Sequence, residues 1–369
     1  MSPPRSDGDD AAFSVRRHPS PVSPEQRAEL LRDPGFGRVF TDHMVVIDYE
    51  EGRGWHDARV EARAPLVMDP AAAVLHYAQE IFEGLKSYAT EGGGATLFRP
   101  EQNARRFAGS AERMAMPALP EDLFIGSLKQ LIHADRAWIP TVPGGSLYLR
   151  PFMIANEVFL GVRPSHRYLY MVIASPVGSY FKGGAKPVTV WVSQDYTRAA
   201  PGGTGAAKCG GNYAASLAAQ AEAYRHGCEQ VVFLDAAERR WIEELGGMNV
   251  FFVHEDGALS TPPLGTILPG ITRDSVMTMA RREGITVREE PYAIDQWRAD
   301  AASGRLREAF ACGTAAVITP IGTVRTPDGD FTIPGSGAPD GLAERLRRGL
   351  TDLQRGMAPD PFGWVHTVL

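Results

Sequence analysis

Pro201-Gly-Gly-Thr-Gly-Ala-Ala-Lys-Cys-Gly-Gly-Asn-Tyr213 is the stretch on which the reading of this chain turns. Lys208 stands between two glycine clusters, and Tyr213 follows five residues later. Glycine has no Cβ, so the backbone here can bend sharply and approach a bound group closely. A lone amine in such a loop suits a Schiff base with an aldehyde cofactor, most often pyridoxal phosphate. Two other readings fail on spacing. A phosphate-binding P-loop needs glycine directly before the lysine and serine or threonine after it, where this chain has Ala207 and Cys209. A dinucleotide G-x-G-x-x-G fails because Lys208 takes the place of its last glycine. A solvated loop is the commoner fate of glycine-rich sequence, so the rest of the chain must decide.

With 369 residues the chain can fill two ordinary cores. A net charge of −6 gives no electrostatic ground for a nucleic acid or an anionic membrane as partner. Cys209, Cys228 and Cys312 are too few and too scattered for a disulfide framework or a zinc site, which implies a reducing compartment. No apolar run approaches the ~18 residues that span a bilayer. The start of the chain is rich in Pro, Ser and Asp and lacks the apolar segment of a secretory signal. The expected location is the cytoplasm.

Composition and periodicity predict a flexible arm over residues 1–33, a smaller α/β domain over 34–176, a linker over 177–187 and a larger domain over 188–369. Strands are expected at Met44–Tyr49, Ser146–Arg150, Tyr168–Ala174, Val188–Val192, Val231–Leu234, Trp241–Glu244 and Asn249–Val253. Helices are expected at Glu101–Met116, Asp122–Trp138 and Tyr213–His226, the last with Asn212 as N-cap and Gly227 as terminator. A further helix opens at Ile271-Thr272. Strands and helices do not alternate as clean βαβ units, so the fold class is α+β.

Pyridoxal phosphate asks for a lysine, a phosphate cradle, a carboxylate at the pyridine nitrogen and a donor to the phenolate. Pro269-Gly-Ile-Thr272 offers a helix start with free amides, and Cys312-Gly-Thr-Ala-Ala316 a second turn of small residues. Arg106 could supply the cation, and Glu243 or Glu244 the carboxylate. Taken one at a time, each is more often a cap, a surface arginine or a solvated glutamate.

Taken together, they match a family in order and spacing. From about Gly35 to the C-terminus the sequence resembles the branched-chain amino-acid aminotransferases, of pyridoxal-phosphate fold type IV and the class IV aminotransferase family. The segments that carry this are Gly35-Phe-Gly37, Phe40-Thr-Asp-His-Met44, His76-Tyr77, Phe82-Glu-Gly-Leu-Lys86, Leu97-Phe-Arg-Pro100 and Tyr148-Leu-Arg-Pro151. Gly178-Ser-Tyr-Phe181, the Lys208 loop, Glu244 with Met248-Asn249, Leu268-Pro-Gly-Ile-Thr-Arg-Asp274 and Gly313-Thr-Ala315 continue it.

The resemblance implies a homodimer whose larger domain holds a barrel-like sheet, with the cofactor between the domains. It implies Lys208 as Schiff-base lysine and acid/base, and Arg106, Ile271, Thr272 and Thr314 as phosphate ligands. Glu244 is implied as the pyridine partner and Tyr213 as the phenolate donor. Phe36, Tyr77, Phe82 and Tyr180 would wall an apolar pocket. Tyr148 and Arg150 would read the substrate carboxylate, with Thr314 and Ala315 amides on the α-carboxylate. The implied reaction moves the amino group of leucine, isoleucine or valine to 2-oxoglutarate.

The residues themselves agree, because an aliphatic side chain is best held by apolar walls, while glutamate in the same site needs a reachable cation. Three departures from the mammalian pattern stand out. Ala316 and Thr319 replace a Cys-x-x-Cys pair, which predicts no thiol switch; Gly247 replaces a hydroxyl-bearing residue; Ala207 replaces an aromatic. A D-amino-acid transaminase, an aminodeoxychorismate lyase and a non-catalytic cofactor-binding protein are the alternatives.

Overall fold

The structure is a computed structural model that describes residues 13–178 and 186–369. Two compact units divide the chain: residues up to 179 together with Phe362–Leu369, and Tyr180–Pro361. They are of nearly equal length, so the expected smaller and larger domains are not seen. The last eight residues, assigned to the second domain from sequence, belong to the first. Most of the expected linker, residues 179–185, lies outside the described residues, as does Tyr180.

The first unit opens with β1 (Ser14–Val15) and α1 (Pro24–Arg32). It continues through β2 (His43–Glu50), β3 (Gly54–Ala62), α2 (Ala73–Tyr77), β4 (Glu80–Phe82), β5 (Leu85–Ala89) and β6 (Ala95–Phe98). Two helices follow, α3 (Pro100–Arg113) and α4 (Glu121–Ala134), then the long strands β7 (Ser146–Ala155) and β8 (Arg167–Val177). The sheet runs β1-β3-β2-β8-β7-β5-β6, with β4 paired to β7. Phe107 from α3, Phe124 from α4 and Tyr170 from β8 are fully buried, and their ring centroids lie 5.4 to 6.2 Å apart. That aromatic triad fixes the helix pair on the sheet.

The described part of the arm, residues 13–33, is seated, contrary to the expectation of flexibility. Strand β1 pairs with β3, and Ser23 caps α1 by accepting from Gln26 N. His18 N donates to His43 Nε2, whose Nδ1 lies 2.6 Å from the buried carboxylate of Asp135. Val22 N donates to Asp42. Proline and serine content predicted disorder, but these backbone donors find acceptors far along the chain.

The second unit contains β9 (Val188–Ser193), α5 (Gly210–Arg225), β10 (Gln230–Leu234), β11 (Ile242–Leu245), β12 (Asn249–His254), β13 (Leu259–Thr261), α6 (Ile271–Arg282) and β14 (Val287–Glu289). It ends with α7 (Ile294–Ser303), the hairpin β15 (Leu306–Gly313) and β16 (Val317–Arg325), β17 (Phe331–Thr332) and α8 (Leu342–Gln354). Strand order is β11-β10-β9-β16-β15-β12-β13-β14, a mixed parallel and antiparallel sheet that curls as a half-barrel. Strands β9 and β10 are largely apolar because both their faces are covered. Val190, Val192, Val232 and Leu234 face a core closed by Trp297, while Trp191, Val231 and Phe233 meet Ala219 and Ala223 of α5.

The chain then returns to the first unit, where β18 (Val365–Thr367) pairs antiparallel with β6. Arg99 clamps this return: its amide donates to Trp364 O and its guanidinium lies 4.4 Å from the Trp364 ring.

Candidate active site

The Lys208 loop is built on one asparagine. Helix α5 begins at Gly210 with Cys209 as its cap residue, so Asn212 is not the N-cap that its position suggested. Its buried amide instead donates to Thr204 O and Ala207 O, both at 2.8 Å, and accepts from Thr204 Oγ1 at 2.7 Å. These bonds draw the glycine loop back over the start of the helix. Gly205 is required there, since an added Cβ would lie 1.9 Å from Thr266 O. The loop thereby presents Lys208 Nζ at 2.6 Å from Tyr213 Oη, with the amine 5.0 Å from the ring centroid.

Glu244, on β11, is 2% exposed. Its Oε1 lies 2.7 Å from Arg198 Nη1 and accepts from Leu268 N at 3.0 Å, while Asn249 Nδ2 donates to Oε2 at 3.3 Å. Arg198 Nη1 also donates to Gly205 O and Thr266 O, each at 3.3 Å. One guanidinium therefore ties the carboxylate to the lysine loop. Sequence reasoning missed Arg198 because a loop arginine is by default a surface residue, and its partner lies 46 positions away.

Burial pushes the Glu244 carboxyl up to about 7, against the pull of Arg198, the Leu268 amide and Lys208. Raised from 4.5, this group favours the folded apoprotein most below pH 4.5 and loses that contribution as pH rises to about 7. The melting temperature of the apoprotein minus that of Glu244→Gln should therefore fall across pH 4.5–7 and level off above. A difference that stays flat, or rises, contradicts the assignment.

Helix α6 has Gly270 as its N-cap residue and no side-chain cap, leaving its first amides for another acceptor. Thr272 is buried in that first turn beside Ile271, and a Cβ on Gly270 would meet Asn249 Oδ1 at 2.0 Å. Asn249 pairs with Cys312 across β12 and β15, which places the turn holding Thr314 and Ala315 next to Met248. Val317 closes that turn at φ +63°, a conformation costly for a β-branched residue. In one unit, an amine with its phenol partner, a buried carboxylate and an uncapped helix start are thus joined by Arg198 and Asn249. This donor set fits pyridoxal phosphate: a carboxylate for a ring nitrogen, a phenol for a phenolate and free amides for a phosphate.

The first unit carries a separate cluster. Arg150 Nη2 donates to Tyr148 Oη at 2.9 Å, both on β7, and the guanidinium lies 4.8 Å from the Phe82 ring centroid. Phe36 meets Tyr148 edge-on at 5.2 Å. The Phe82-Glu-Gly segment is explained residue by residue. Phe82 supports Arg150. Glu83, fully buried, accepts from Arg106 Nε and Nη2 at 2.7 and 2.9 Å and from Asn103 at 2.7 Å. Gly84 leaves room for Tyr148, whose hydroxyl would stand 2.0 Å from a Cβ there. Tyr77 is not drawn into this group: its hydroxyl donates to Leu160 O and its ring meets His76.

The amino-transferase class IV family model matches residues 80–324. A branched-chain-amino-acid aminotransferase from Mycobacterium tuberculosis is 56% identical over 358 residues, covering 96% of this chain and 97% of that protein. Among solved structures, the Escherichia coli branched-chain amino acid aminotransferase aligns with a TM-score of 0.72 at 30% identity, covering 84% of this chain and 97% of its own. A second, from Thermobaculum terrenum in its PLP-form, aligns at 0.69 and 24% identity, covering 88% and 98%, and bears on the fold alone.

Proposed function

Because this chain belongs to the class IV aminotransferases and is a branched-chain-amino-acid aminotransferase that uses pyridoxal phosphate, we propose that Lys208 anchors the cofactor and is the catalytic base. The observation that carries this reading is the 2.6 Å contact of Lys208 Nζ with Tyr213 Oη beside the buried Arg198–Glu244 pair. When bound, the cofactor supplies an electron sink for the bond broken at the substrate Cα. Glu244 would hold its pyridine nitrogen and Tyr213 its phenolic oxygen. Ile271, Thr272, Thr314 and Arg106 would hold its phosphate, with Glu83 fixing the plane of the Arg106 guanidinium.

The Lys208 amine would act as the base that takes and returns the proton at the substrate Cα. The Tyr213 hydroxyl steadies the amine in position for that transfer. Thr314 and Ala315 amides bind the α-carboxylate, and the strained turn closed by Val317 keeps them preset. Phe36, Phe82 and Tyr180 serve the aliphatic side chain of leucine, isoleucine or valine. Tyr148 and Arg150 receive the distal carboxylate of glutamate when 2-oxoglutarate is the acceptor. The Arg150 guanidinium, held at the edge of an aromatic cluster, supports that acceptor, since it offers a cation without breaking the apolar wall.

We also propose a cytoplasmic homodimer. Three free, buried cysteines support a reducing compartment, and the exposed aliphatic side chains of Val158, Leu160 and Val162 support self-association. Light scattering should return twice the 40.1 kDa of one chain, and a monomer would count against it. The central test is optical. The visible cofactor band of the holoenzyme should bleach with L-leucine and persist with D-leucine. Bleaching by the D-enantiomer alone would favour a D-amino-acid transaminase instead.

A further inference from the structure

Glu243 and Glu244 are neighbours on β11, so their side chains leave opposite faces of the strand. Glu244 serves the cluster described above. Glu243 lines a different cavity of about 440 Å³, contained wholly within the second unit. Its walls are apolar and stiff: Pro201, Trp241, Pro262, Pro263, Leu264 and Pro291. Glu243 is only 8% exposed. Its Oε1 accepts from the Thr266 hydroxyl, but its buried Oε2 has no hydrogen-bond partner among the described residues. A buried carboxylate oxygen left in this state is costly, and the cavity that Glu243 lines has the size of a small-molecule site.

From this geometry we propose that the cavity is a second ligand site, one that takes a small aliphatic ammonium ion with its N–H on Glu243 Oε2 and its alkyl groups on the proline walls. Three features select that chemistry. No lysine or arginine is among the described residues lining the cavity, so an anion has no counter-charge. A hydrocarbon would fill the walls and leave Oε2 unsatisfied. A second carboxylate, Asp235, also lines the cavity, and it already accepts from the amides of Ala237, Glu238, Arg240 and Trp241. Its charge adds to the demand for a cation without competing for the donor.

Glu243 itself shows the same demand. Burial and, after it, the charge of Asp235 raise its affinity for a proton, while Thr266 and Arg198 oppose the shift. An ammonium N–H answers that demand as a proton would. The site also touches the neighbouring cluster through one segment, because Thr266 holds Glu243 with its hydroxyl and Arg198 with its carbonyl, and Leu268 N binds Glu244.

The probe is triethylammonium, which has one N–H to match one unpaired oxygen. As a tertiary amine it forms no imine with an aldehyde, so its binding is read independently of the cofactor chemistry. Calorimetric titration into the holoenzyme should show saturable binding of one ion per chain. Affinity should fall about tenfold or more in Glu243→Gln, and similarly for tetraethylammonium, which has the shape without the donor. Leu264→Trp, at a position 49% exposed and therefore tolerant, should fill the cavity and abolish binding. Absence of saturable binding overturns the proposal. So does an affinity unchanged by Glu243→Gln or by Leu264→Trp.

Discussion

Lys208→Ala is expected to lose about four orders of magnitude in transamination rate, with the protein still folded. The side chain is half-buried at the edge of α5, and Asn212, not Lys208, holds the loop in shape, so truncation removes an amine and little structure. Tyr213 cannot take over the proton transfer, because a phenol near pH 7 is a far weaker base than an amine. Steady-state turnover of L-leucine with 2-oxoglutarate measures the loss. A small added amine such as methylamine should restore part of the rate by acting as a free base. A variant that turns over at nearly the parental rate would remove Lys208 from the chemistry.

Arg198→Ala should produce the largest loss of stability of any single change at the site. Its guanidinium faces Glu244 with both side chains almost wholly buried, and removing one partner of such a pair costs about 3–5 kcal/mol. For a unit of this length that corresponds to a fall of roughly 6–20 °C in melting temperature. The cofactor should also bind at least about tenfold more weakly, since Glu244 then escapes its buried charge by taking a proton. Arg198→Lys should recover only part of the loss, because a single ammonium must replace a guanidinium that also bonds Gly205 O and Thr266 O. Calorimetry and cofactor titration would read both effects, and an unchanged melting temperature would sink the claim.

The Lys208 loop stood out in the sequence because its two glycine clusters allow a sharp bend and a close backbone approach. Tyr213 was legible with it, being near in the chain. Strand β10 could be read from the apolar run Val231–Leu234, which burial on both faces explains. What escaped were the residues that hold others in place. Arg198, Glu83 and Asn249 act through partners 46, 23 and 19 positions away, and no local pattern marks them. Asn212 was placed correctly and misread, since an asparagine at a helix start can cap the helix or tie down the loop before it. The described part of the arm, residues 13–33, was misjudged on composition, which registers prolines but not the acceptors waiting on His43 and Asp42.

The pairing of β18 with β6 makes the second unit an insertion between two parts of the first. During synthesis, all of residues 180–361 emerges before the final strand that β6 needs. The inserted unit is therefore complete in sequence while the other still lacks the strand that covers its β6 edge. Shaving those eight terminal residues would leave the inserted body intact and strand its host half-finished.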